Sequence, residues 1–133
     1  MRPGTTLRAL PETEQDLVIA DLLRRLWHSP PAPHPFCSLS DLTDHWSNET
    51  LANIEQWPDP GLVREGLRLF RELPRTASIE VLLATDRTIR RIADLLSVDS
   101  ERVRRWTFAR AAAEPRDDWR NDGSMELARA IAP

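Results

Sequence analysis

Apolar side chains recur along this chain at intervals of three and four, the spacing that gathers them on one face of an α-helix. The first such stretch spans residues 12–28. Leu17, Ala20, Leu23 and Trp27 keep the spacing, joined by Val18, Ile19, Leu22 and Leu26. Pro11 suits a first-turn position, and Glu12, Glu14 and Asp16 place negative charge at the positive end of the helix dipole. So wide a stripe predicts a largely buried helix. The proline-rich link at 29–35 stops it, because proline cannot continue the backbone ladder. Residues 1–10 read as an extended lead-in.

A second helix is expected over 41–56, capped by Ser38 or Ser40, with Leu42, Trp46, Leu51 and Ile54 as its apolar face. Asp59 and Pro60 open a third as cap and first helical residue. It runs to about 73 with Val63, Gly66, Leu67 and Phe70 inward. Residues 79–83 form a short apolar run and read as a strand. Asp86 then caps a helix through 96, with Ile89, Ile92, Ala93 and Leu96 inward. After a tight turn at 97–99, Asp99 caps a helix to about 113, and Val98 can staple against Val103. A polar loop at 116–123 leads to a final helix near 124–132, capped by Ser124. The class predicted is mainly α, with at most one short strand or hairpin, in a single domain over 1–133.

The net charge of −3 is unevenly spread. Residues 1–85 hold 8 arginines against 12 acids, residues 86–110 hold 7 against 4, and residues 111–133 hold 3 against 5. One basic segment therefore sits in an acidic chain. All 18 basic residues are arginine; lysine and tyrosine are absent. Codon usage is the simplest account, yet it has a chemical consequence. Kinases of the common fold hold the nucleotide phosphates with a lysine, and this chain cannot supply one. No apolar run approaches the ~20 residues of a membrane span, and no apolar signal region opens the chain, so a cytoplasmic location is expected.

Candidate chemistry is sparse. Residues 61–68 have the glycine spacing of a phosphate loop, but Leu67 and Arg68 stand where Lys and Ser/Thr are required. His28, His34, Cys37 and His45 match no strong zinc spacing. Asp117, Asp118 and Asp122 are read as a solvated acidic loop, and Trp119 within it could stack a ligand. The other tryptophans are assigned to packing. Asp86 could be a phosphoryl-transfer aspartate, but the metal-binding asparagine expected five residues on is Arg91, a cation that would oppose magnesium. The cap role is favoured.

Several stretches in order carry a resemblance: PGTTLRALPETEQDLVIADLLRRLW, LTDHWS, GLVREGLRLFRELP, IEVLLATD and IADLLSVDSERVRRWTFARA. From about residue 3 to 131 they resemble the C-terminal lobe of aminoglycoside/hydroxyurea antibiotic resistance kinases, in the aminoglycoside phosphotransferase (streptomycin 6-kinase-like) group. The resemblance implies the helical C-lobe of a protein-kinase-like fold. It also implies ATP and magnesium as cofactors, and an aminoglycoside or other small hydroxylated acceptor. The departures are as informative. The family's catalytic loop should continue from Ala84-Thr85-Asp86, and the chain instead joins the downstream helix near 84–88. No catalytic, cofactor-binding or metal residue carries over. The expectation is a phosphotransferase remnant, inactive alone, that needs no cofactor. Its uncovered helix faces should favour self-association.

A competing reading concerns residues 90–110. Ile92, Ala93, Leu96, Val98 and Val103 fit two crossed helices of a helix-turn-helix, with Ser100, Arg102, Arg104 and Arg105 available to DNA. The local +3 charge fits. The turn lacks the usual glycine and the chain as a whole is acidic, so two core helices with a solvated arginine face is the favoured reading.

Overall fold

The computed structural model describes residues 6–26, 28, 31–76, 86–116 and 123–133. Among the described residues six α-helices follow one another: α1 (Glu12–Leu26), α2 (Leu39–Ala52), α3 (Pro60–Glu72), α4 (Asp86–Leu96), α5 (Ser100–Ala113) and α6 (Ser124–Ala130). The protein is mainly α, and no strand occurs among the described residues. The strand expected at 79–83 lies outside the described residues, and within α4 the side chains of Asp86, expected as its cap, and of Ile89, expected inward, are likewise outside them. The lead-in is not extended throughout. Ala9 and Leu10 donate to the carbonyls of Thr6 and Leu7, closing a 3-10 turn at Leu7–Ala9.

Helix α5 is the centre of the molecule. It packs against α2, α3, α4 and α6, and its second half has almost no open face. Trp106, Thr107, Phe108, Ala109 and the run Ala111, Ala112, Ala113 are all buried. A run of alanines lets a neighbouring backbone approach closely. The neighbour is α3, at Gly66: a Cβ there would sit 2.9 Å from the Ala113 Cβ and 3.2 Å from the Ala109 carbonyl oxygen. Val63, Leu67, Leu69 and Phe70 extend the seam on either side. Phe70 lies between two indoles, 5.7 Å from the Trp46 ring and 6.3 Å from Trp106, in the range where aromatic pairs attract.

Three of the expected caps are in place. Ser38 Oγ accepts from the Asp41 N–H of α2, Asp59 Oδ1 from the Leu62 N–H of α3, and Asp99 Oδ1 from the Glu101 N–H of α5. Helix α6 differs. Its N-cap is Gly123 at φ 72°, with Ser124 already helical, because the left-handed entry favours the residue without a Cβ.

Helix α2 turns a different face inward from the one expected. Thr43, Ser47 and Thr50 are buried, while Leu51 stays 43% exposed. Leu42 and Trp46 are half-buried. The hydroxyls are affordable inside because each is satisfied. Thr43 donates to the Ser40 carbonyl, Ser47 to Thr43, and Thr50 crosses to the Ala113 carbonyl at 2.7 Å. The helix also ends early, at Ala52, with a 3-10 turn at Ile54–Gln56 completing the expected stretch.

Between α4 and α5 the chain reverses in three residues. Ser97 adopts φ 57°, the Val98 N–H bonds the Ala93 carbonyl and the Ser97 N–H bonds the Asp94 carbonyl. This pair of bonds closes a helix end in the Schellman manner, with Val98 folded back beside Ala93 and Val103. Serine is a costly choice for a left-handed residue. Ser97→Gly is therefore expected to stabilise the fold by about 0.5–1 kcal/mol. A urea midpoint that rises at constant slope would show this; an unchanged or lower midpoint would refute it.

Helix α1 departs most from expectation. Only Asp16 and Ala20 are buried, and Leu17, Leu22 and Leu26 are 57%, 49% and 70% exposed. The helix packs chiefly on α4, through Ala20, Ile19 and Leu23 against Ile92 and Leu96. Among the described residues α4 covers one stripe, and Leu17, Leu22 and Leu26 on the flanks stay exposed. Polar stitches fix this pair near both ends. Arg91 bonds Glu12 at 2.7 Å and ion-pairs with the buried Asp16, and Arg24 donates to the Leu95 carbonyl.

Candidate functional site

The C-terminal end of α5 carries the most elaborate polar arrangement in the described residues. A helix end leaves carbonyls without intrahelical partners. Here side chains supply them: Arg116 donates to the Ala111 carbonyl and Thr50 to Ala113, and Arg116 also joins the Glu114 N–H on the Arg110 carbonyl. Arg110 forms a two-bond fork with Glu114, at 2.7 and 3.0 Å, and its guanidinium stands 5.9 Å from the Trp46 ring centre. Planar pairing and stacking of this kind hold a guanidinium in one orientation.

Beside this network lies a cleft of about 420 Å³. Its walls include Trp46, Trp57, Glu49, Asn53, Gln56 and Arg116. Trp57 is buried and Trp46 half-buried with Phe70 and Arg110 against its ring, so the indoles back the cleft more than they line it. Two amides supply both donors and acceptors, Glu49 accepts only and the Arg116 guanidinium donates only. The amides steady each other: Asn53 Nδ2 donates to the Glu49 carbonyl and Gln56 Nε2 reaches Asn53 Oδ1 at 3.4 Å. Amides beside a carboxylate and a guanidinium suit a small hydroxyl-rich molecule. A larger cleft of about 480 Å³ lies at Arg90, Ser100, Glu101, Arg104 and Ala130. It offers charges of both signs but no aromatic surface, so the Trp46–Trp57 cleft is the better-equipped site.

Sequence reading assigned Trp46 and Trp57 to packing and overlooked Glu49, Asn53 and Gln56. A signal for them existed. Trp46, Glu49, Asn53 and Gln56 follow one another at steps of three, four and three, a single helical face. Trp119, Asp117, Asp118 and Asp122 lie outside the described residues.

The other sequence candidates separate. Gly61 and Gly66 are both within α3, which leaves no loop to cradle a phosphate. His28 bonds the Arg25 carbonyl through Nδ1, His34 stacks on Phe36, Cys37 is exposed in the link, and His45 faces Glu49 at 3.8 Å. No group of three potential metal ligands occurs among the described residues. Of the side chains expected on DNA, Arg102 donates to the Leu73 carbonyl, Arg104 to the Ala132 carbonyl, and Arg105 lies 3.8 Å from Glu101. All three are half-buried and tied to the chain's own acceptors.

Arg91 stands where the phosphotransferase resemblance would put a metal-binding asparagine. Its guanidinium is held above its ordinary value, first by the hydrogen bond to Glu12 and then by Asp16, against the cost of desolvation. A fixed cation between two carboxylates of α1 does not fit a magnesium ligand. No helix among the described residues is long and apolar enough to cross a membrane. No protein-family model, curated protein or solved structure matches this chain.

Proposed function

We propose that this chain is the helical remnant of an ATP-dependent aminoglycoside/hydroxyurea-type phosphotransferase, which transfers no phosphate alone but still binds the hydroxylated acceptor. The Trp46–Trp57 cleft carries this reading. Glu49, Asn53 and Gln56 would bond the hydroxyl and ammonium groups of a sugar, with the half-buried Trp46 beside them. The loss of phosphoryl transfer is supported by the engagement of Arg91 with Glu12 and Asp16. These residues do not fit magnesium-ATP, so no catalytic step runs through it.

Thermal melts test both halves. Streptomycin, as a probe aminoglycoside, is expected to raise the transition temperature. At a hundredfold excess over its dissociation constant the gain is about 2.7 kcal/mol. Magnesium-ATP is expected to leave the melt unchanged. Asn53 and Glu49 are exposed, so Asn53→Ala and Glu49→Gln should keep the fold and lose the streptomycin shift. A shift with magnesium-ATP would overturn the inactive-remnant reading. Melts insensitive to streptomycin, or a shift that survives both substitutions, would overturn the acceptor site.

A further inference from the structure

The open flank of α1 has a definite geometry. At 3.6 residues per turn, Val18, Leu22 and Leu26 form a row about 110° around the helix from the stripe covered by α4. Leu22 and Leu26 are 49% and 70% exposed, and Val18 is half-buried. Glu14 and Arg25 border this row on the same edge. Charge is also ordered along the helix, with Glu12 and Glu14 in the first turn and Arg24 and Arg25 in the last.

We infer that this row is a self-association surface, on which α1 of a second copy lies antiparallel about a two-fold axis. Centring the axis between Val18 and Leu22 sets Val18 of each copy against Leu22 of the other. Leu26 then covers the end of the row. The same placement brings Glu14 of each copy beside Arg25 of the other, and it opposes the two helix dipoles favourably. A parallel arrangement would place the two charged edges on opposite sides of the seam and leave Glu14 and Arg25 without this pairing. The antiparallel arrangement is isologous, so it closes at two copies. Arg25 already holds Asp21 at 2.7 Å in its own helix, which keeps its guanidinium on this edge. One helix face per copy buries less than the ~1,200 Å² of a standard interface, so the dimer is weak and concentration-dependent.

Sedimentation equilibrium from about 5 to about 500 µM spans that regime. The mass is expected to climb from the 15.2 kDa of one chain toward twice that value and to stop there. Leu26→Glu should weaken association at least about tenfold. Glu14→Arg and Arg25→Glu should each weaken it, and the two together should restore it. Leu17→Glu, on the opposite flank, should change nothing. Circular dichroism would verify that each variant keeps its helices. The proposal is overturned by a single 15.2 kDa species at every concentration or by growth beyond two copies. It is equally overturned by association that tolerates Leu26→Glu, by its loss in Leu17→Glu, or by a double charge variant that fails to recover.

Discussion

Replacing Phe70 by alanine is expected to destabilise the protein by about 3–5 kcal/mol, the cost of removing a large buried aromatic and leaving part of the space empty. Phe70 is 1% exposed and bridges the Trp46 and Trp106 rings, so the cavity opens between α2, α3 and α5 at once. Those three helices cannot all close on it, since the Gly66–Ala113 approach already fixes how near α3 stands to α5. Against the ~5–15 kcal/mol total typical of a domain, the loss removes a large share of the stability. Urea denaturation followed by tryptophan fluorescence measures it. A loss below ~1 kcal/mol would mean that the ring is not the keystone of this interface.

Gly66→Ala is expected to destabilise by about 1–3 kcal/mol, even though alanine is the better helix former. The new methyl would meet two alanine Cβ atoms at 2.9 and 3.1 Å and a backbone oxygen at 3.2 Å. None of these is the free end of a flexible side chain, so α3 and α5 must part along a seam that includes Val63, Leu67 and Phe70. The cause can be isolated by compensation. Adding Ala113→Gly removes the nearest clashing methyl, and the double variant should regain part of the loss in the same denaturation experiment. If Gly66→Ala were neutral or stabilising, its helix propensity would have won and the close approach would not limit packing.

What could be read from the sequence was what is decided locally. The caps Ser38, Asp59 and Asp99 and the Val98–Val103 staple depend on residues a few positions apart. The inward face of α3 was legible because Val63, Gly66, Leu67 and Phe70 keep one phase and the positions opposite them are charged. The exposure of α1 was not legible. The width of an apolar stripe says how much could be covered, not how many neighbours arrive to cover it. Helix α2 misled for another reason. Thr43 and Ser47 satisfy their hydroxyls on the preceding turn and Thr50 its own on α5, and all three then behave as small buried side chains on a face that no apolar residue marks. The cleft at Trp46 and Trp57 needed contact across 63 positions, from Thr50 to Ala113, which no local pattern announces.

Those inward hydroxyls give α2 a thermal character of its own. Apolar burial carries a large heat-capacity change and its grip loosens on cooling; buried hydroxyls contribute with the opposite sign. Thr43 and Ser47 bond within their own helix, so Thr50 to Ala113 is the bond of this face that joins α2 to α5 and persists in the cold, while the α3–α5 seam relies on a force that fades there. As temperature falls, the Thr50–Ala113 bond is the part of the α2–α5 contact that weakens least.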